Sequence, residues 1–134
     1  GYTDASSSLR IERVGLNFDC FPIKDNSGNL ILDEKIDMQG EAAYFSTLPT
    51  RKILNKLRNT DIDVQLSYSA GTFICNHLYY TILKKIHELY FSSIIPCGFI
   101  HIPSTSKKWT YRRLAYCITE AIQITIDEIN INTL

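Results

Sequence analysis

With 134 residues, 45% of them hydrophobic, the chain can bury one continuous core and not two independent ones, so a single domain over residues 1–134 is expected. Fourteen Lys and Arg balance fourteen Asp and Glu, which leaves no long-range field to gather phosphate backbones or anionic lipid and argues against a nucleic-acid partner. No apolar run reaches the length of a membrane span, and the first eight residues carry neither a basic nor an apolar signal region, so no membrane partner is expected.

The chain opens on Gly1 without a methionine, which reads as a processed or trimmed start. Leu9 to Phe18 alternates apolar and polar residues, and this predicts a strand that carries Glu12. From Asp19 to Phe45 there is little periodicity and one turn signal, Asp25-Asn26-Ser27-Gly28, so a long surface excursion is expected. Thr47 to Asn59 has a Thr and Pro49 start signal and then Ile53, Leu54 and Leu57 at helical spacing, the pattern of a short amphipathic helix.

Asp63 to Tyr68 places Val64, Leu66 and Tyr68 on one side of a predicted strand, which Ser69-Ala70-Gly71 ends. A helix from about Phe73 to Tyr90 follows, with Ile74, Leu78, Ile82, Ile86 and Leu89 as its expected core stripe. Cys97 to Ile102 reads as an apolar strand stopped at Pro103. A last helix from about Thr110 is expected to bury Leu114, Ile118, Ala121, Ile122, Ile126 and Ile129. Strands that alternate with helices favour an α/β fold with no internal repeat.

Three residues could carry chemistry. Cys75 falls just after the Gly71 turn, in the first turn of a helix, where unpaired N–H groups and the positive end of the dipole favour a thiolate and can hold an oxyanion. The plain alternative is a small buried apolar residue, as most free cysteines are. His101, near the end of an apolar strand, is the best placed of three histidines to act as a base, against a purely structural strand histidine. Glu12 could orient an imidazole from a neighbouring strand, although strand carboxylates usually face water.

His77 and His87, on the long helix, read as structural or solvated, and His77 points away from Cys75. Cys20, Cys97 and Cys117 keep the structural reading. Four cysteines without a CxxC pair or a dense framework suit a reducing compartment. Neither the histidines nor the cysteines have metal-ligand spacing, so no metal or other cofactor is expected.

Four blocks in order are more specific than any of these positions. Ile11-Glu12-Arg13-Val14-Gly15-Leu16-Asn17 with the Asp25-Asn26-Ser27-Gly28 turn, Ala42-Ala43-Tyr44-Phe45-Ser46-Thr47-Leu48-Pro49, Ser69-Ala70-Gly71-Thr72-Phe73-Ile74-Cys75-Asn76-His77, and Gly98-Phe99-Ile100-His101-Ile102-Pro103 stand in the chain. Together they resemble the C-terminal two-thirds of pyroglutamyl peptidase I, also called pyrrolidone-carboxylate peptidase, a family of cysteine peptidases.

The resemblance implies a three-layer α/β/α sandwich with a mostly parallel, twisted sheet, and implies that the family's N-terminal elements, with a first strand and a GFxPFG loop, lie outside this sequence. It implies a Cys75, His101 and Glu12 triad that hydrolyses the amide after an N-terminal pyroglutamyl residue through an acyl-enzyme. It also implies Phe73 as an aromatic wall of the substrate pocket and Tyr2, where the family has a GQAGGR turn, at the substrate. Pro22 stands where the family carries an arginine, with Lys24 two positions on. The alternative is therefore an impaired relative kept as a binding or assembly module. Pyroglutamylated peptides as partners, homo-oligomers and a cytoplasmic location are further expectations of the resemblance.

Overall fold

The computed structural model describes residues 1–3, 6–24, 26–89 and 95–132. In chain order its elements are β1 (Tyr2–Thr3), β2 (Leu9–Glu12), β3 (Val14–Leu16), β4 (Ala43–Phe45), α1 (Thr50–Arg58), β5 (Val64–Ser67), α2 (Ile74–Leu89), β6 (Phe99–Pro103) and α3 (Tyr111–Asn132). Asp4, Ala5, Asp25 of the predicted turn and Tyr90 at the predicted helix end lie outside the described residues. By internal contacts the chain divides into two units, Gly1–Ile11 with Leu48–Leu66 and Phe99–Leu134, and Glu12–Thr47 with Ser67–Gly98.

The four-stranded sheet has the order β1-β6-β2-β5. β1 runs parallel to β6 in the register Tyr2 with Ile102 and Thr3 with Pro103. The Leu9 N–H donates to the Asp63 carbonyl at 3.0 Å, and four residues on the Arg13 N–H donates to the Ser67 carbonyl at 2.7 Å. Both strands advance together, so β2 and β5 are parallel as well, and parallel neighbours need long crossovers of the kind that α1 provides. The expected α/β class with a mostly parallel sheet is what forms.

In the first unit, Leu9 and Ile11 of β2 and Val64 of β5 pack with Ile53, Leu54 and Leu57 of α1 and with Leu114, Cys117 and Ala121 of α3. α1 forms as its sequence predicts: its apolar stripe is buried, while Lys52 and Lys56 on the other side pair with Glu128 and Glu120 of α3. Trp109 closes this core, and its indole N–H donates to the Ser7 carbonyl at 2.7 Å.

The second unit holds β3 and β4, paired antiparallel with Gly15 opposite Tyr44, together with α2. Two expectations need correction here. The predicted strand Leu9 to Phe18 is interrupted at Arg13, so that β2 joins the parallel sheet and β3 a separate ribbon. β4 lies inside the segment read as an excursion; its apolar Ala43-Tyr44-Phe45 run is too short for alternation to be read.

The third correction concerns which face of a helix is buried. α2 buries Asn76, Tyr79, Tyr80 and Leu83, whereas Ile74, Leu78, Ile82 and Leu89 of the predicted stripe are exposed and Ile86 is half-buried. Gly15 lets β3 lie close to this face, since a Cβ there would meet the Tyr80 backbone nitrogen at 2.9 Å. On α3, Leu114 and Ala121 are buried as expected and Ile118 is half-buried, but Ile122, Ile126 and Ile129 are exposed and Cys117 takes a core position instead.

Candidate active site

The segment between β5 and α2 is built to start a helix abruptly. The Ser67 hydroxyl donates to the Ser69 carbonyl at 3.0 Å, and the Gly71 N–H donates to the Ser69 hydroxyl at 3.2 Å. Gly71 then takes a left-handed conformation at φ 83°, which a side chain would strain. The His77 N–H donates to the Phe73 carbonyl at 3.0 Å, so Phe73 caps the first turn and Cys75 stands inside it, half-buried. That first turn contains no acidic residue to compete with an anion at the helix start.

The residues on either side of Cys75 are tied to the chain that follows β3. Asn76, fully buried, accepts from the Leu16 N–H at 2.9 Å and donates to the Leu16 and Phe18 carbonyls, each at 2.9 Å. His77 Nδ1 lies 2.6 Å from Oδ2 of the buried Asp19, an ion pair when the imidazole is protonated. The Cys20 N–H donates to the Thr72 carbonyl at 2.9 Å and the Thr72 hydroxyl donates back to the Cys20 carbonyl at 3.1 Å. Phe21 then meets Phe73 edge to face, with ring centroids 4.9 Å apart.

His77, read from the sequence as structural or solvated, keeps a half-exposed side chain and is joined to Asp19. Asn76 was missed as a positioning residue; its signal was an uncharged amide beside the candidate thiol, on the side of the helix opposite the apolar stripe. Asp19 was missed because nothing in the pattern around it shows that it is buried.

Glu12, the last residue of β2, is 0% exposed, against the usual habit of strand carboxylates. The Tyr79 hydroxyl of α2 donates to its backbone carbonyl at 3.1 Å, and burial pushes the Tyr79 phenol up to about 12. A carboxyl group removed from water in this way is a candidate for a functional role.

His101 is the third residue of β6, buried at 3% exposure, with its ring 5.0 Å from that of Phe99. Tyr2, on the adjacent β1, is 60% exposed, and its hydroxyl lies 2.9 Å from that of Ser104. Phe73 is partly exposed beside the helix start, while Pro22 and Lys24 are both exposed. Burial pushes the Cys97 and Cys117 thiols up, which suits their structural reading. Among the described residues no group of three or more His, Cys, Asp or Glu could hold a metal ion, and no helix is long and apolar enough to cross a membrane.

The fold is thus an α/β one with a mostly parallel sheet, in which Cys75 stands in the first turn of a helix that follows a glycine turn. A family model described as pyroglutamyl peptidase matches residues 1–131. Among curated proteins, the pyrrolidone-carboxylate peptidase of Vibrio vulnificus is 45% identical and that of Fusobacterium nucleatum 43% identical, each over 77% of this chain and 47% of the relative. Among solved structures, the pyrrolidone carboxyl peptidase from Thermococcus litoralis superposes with a TM-score of 0.86 at 28% identity, covering 98% of this chain and 66% of that one. The pyroglutamyl peptidase I from Bacillus amyloliquefaciens gives 0.83 at 31% identity, covering 93% and 62%. The chain belongs to the pyroglutamyl peptidase family. It spans about half the length of the curated relatives it matches.

Proposed function

We propose that the protein is a cysteine exopeptidase that removes an N-terminal pyroglutamyl residue from peptides, with Cys75, His101 and Glu12 as its triad. The observation that carries this reading is Cys75: of the four cysteines it alone stands in the first turn of a helix, on a turn fixed by Gly71. Burial of the Glu12 and His101 side chains supports it, because a strand-end carboxylate and an imidazole are seldom removed from water without a task. Membership of the family supports the choice of substrate.

In this reading the Cys75 sulfur attacks the carbonyl carbon that joins the pyroglutamyl ring to the next residue. The negative charge that develops on the carbonyl oxygen is met by N–H groups at the start of α2. Glu12 holds the His101 imidazole in orientation, and His101 gives its proton to the departing amine as the C–N bond breaks. The acyl group, now a thioester on Cys75, is hydrolysed by a water whose proton His101 accepts, which releases pyroglutamate and restores the thiol. Phe73 provides an apolar wall for the lactam ring, and Tyr2 also lies at the substrate.

The test is hydrolysis of a pyroglutamyl coumarin amide by the full-length protein. Cys75→Ala is expected to lose roughly a thousandfold or more in kcat/KM, and His101→Ala to fall comparably. Turnover by Cys75→Ala at the parent rate would end the reading. Pro22, exposed in the place of an arginine, favours one alternative, an impaired relative that keeps the fold as a binding or assembly module. That alternative predicts no substrate-dependent mass shift on Cys75, whereas the peptidase predicts an acyl adduct.

The same reading places the protein in a reducing, cytoplasmic compartment, where its four separate thiols stay free. It also includes self-association, supported by the exposed apolar residues Ile74, Leu78 and Ile82 on α2. Light scattering that reports a monomer at all concentrations would remove the second of these.

A further inference from the structure

We infer that Phe21 is a specificity-determining residue, which together with Phe73 forms an aromatic corner that receives the flat lactam ring of the substrate. The inference rests on the reading of Cys75 as the nucleophile and goes beyond it in assigning a second wall on a different segment of the chain. Phe73 lies two residues before Cys75 and remains partly exposed. Phe21 meets it nearly at right angles, with an interplanar angle of 86° and 4.9 Å between centroids. Two rings in this arrangement enclose a concave angle with the face of one ring on each side, a shape that suits a small planar ring better than a flexible side chain.

The corner is held from behind. The Phe21 N–H donates to the Ile31 carbonyl at 2.7 Å, and the preceding residue, Cys20, exchanges two hydrogen bonds with Thr72. One residue earlier, Asp19 is joined to His77 of α2 and bridges Glu34. A phenylalanine whose own N–H and two preceding residues are pinned while its ring is only half-buried is placed as a wall, since a core residue would be covered and a surface residue would not need such anchoring. The lactam presents C–H edges and a polarised amide plane, both of which pack well on aromatic faces.

Two measurements on the full-length protein test this. The first is the protection of Cys75 from iodoacetamide by 2-pyrrolidone, which needs no turnover. Phe21→Ala and Phe21→Leu are expected to weaken protection by roughly three- to tenfold, the scale of one lost aromatic contact, while Phe21→Tyr retains it. The second is the kinetics of the pyroglutamyl amide, where KM rises by a similar factor in Phe21→Ala with kcat little changed.

If Phe21→Leu, which keeps the volume, is protected as well as the parent, the aromatic wall is refuted, and the same holds if pyrrolidone fails to protect the parent. A parent that is protected in a Phe21-dependent manner yet cleaves nothing would sustain the corner while removing the peptidase reading. A parent that cleaves with KM unaffected by Phe21→Ala would do the reverse.

Discussion

α1 and α2 both present an apolar stripe at helical spacing, yet only α1 buries the stripe that its sequence advertises. In α1, Ile53, Leu54 and Leu57 enter the core and the basic residues turn outward. In α2, Leu78 and Ile82 stay exposed while Asn76, Tyr79 and Tyr80 go inside. The difference lies in the polar groups. The buried Ile53, Leu54 and Leu57 stripe of α1 has only dispersion and burial to satisfy, so periodicity decides its orientation. α2 has two partly apolar faces, and the one that turns inward is the one with hydrogen-bond partners waiting: Asn76 for the backbone around Leu16, the Tyr79 hydroxyl for the Glu12 carbonyl, the Tyr80 hydroxyl for the Glu41 carbonyl. Each of these tyrosines also brings a large apolar body, so burial and hydrogen bonding act together. The rotation is also what a site needs, because it ties the helix bearing Cys75 to β3 through the residue next to the thiol.

The widest expected effect lies on the α1 side of this comparison. Leu57 is fully buried in the core, and Leu57→Ala should cost about 2–5 kcal/mol in urea unfolding, as for other large-to-small core changes. The matched change on α2 is polar. Asn76→Ala strands the Leu16 N–H and two carbonyls in a buried position and should cost roughly 2–3 kcal/mol, with faster alkylation of a loosened Cys75. If Asn76→Ala were neutral, hydrogen bonding would not be what selects the buried face of α2.

A smaller effect should appear only at alkaline pH. Tyr79 has its phenol raised from 10.0 to about 12, chiefly by burial, so the neutral form is the one the fold favours. The stability it contributes is fully present below pH 10 and is lost as pH climbs through about 12, by up to roughly 2–3 kcal/mol. Tyr79→Phe should flatten the part of the alkaline unfolding curve that lies between these values. An unchanged slope in the variant would mean that Tyr79 is not kept neutral by the fold.

Much of this architecture could be read from the chain. α1, β5, β6 and α3 follow from alternation and helical spacing, and the turn before Cys75 follows from Gly71, whose φ of 83° no other residue tolerates as readily. What could not be read depends on partners distant in sequence. The break at Arg13 separates two strands that share one alternating run, because the run is too regular to show where its pairing changes from β5 to β4. Glu12 reads as a solvent-facing carboxylate from pattern alone and is buried because of what surrounds it. Phe21 and Asp19 sit in a stretch without periodicity; Phe21 is placed by its ring contact with Phe73 and Asp19 by its hydrogen bond to His77, residues more than fifty positions away. The residues of the proposed triad could be singled out only as members of motifs, since the bare spacing of one Cys, one His and one Glu leaves many other choices open.

The smallest expected effect completes the comparison between the helices. Leu78 belongs to the predicted core stripe of α2 but is 49% exposed, so replacing it with a polar residue removes little buried area. Leu78→Gln should therefore change the unfolding free energy of the isolated 134-residue chain by no more than about 0.5 kcal/mol, the range of ordinary surface substitutions. This is a strong statement about a leucine that helical periodicity assigns to the core, where loss of its side chain would cost several times as much. The same change also probes the exposed stripe: a polar residue there that lowers the apparent mass by light scattering would show that Leu78 is covered by a neighbouring copy. A loss of several kcal/mol in the 134-residue chain would instead mean that α2 turns its apolar stripe inward after all, and the account of Asn76, Tyr79 and Tyr80 as the groups that orient the helix would fail with it.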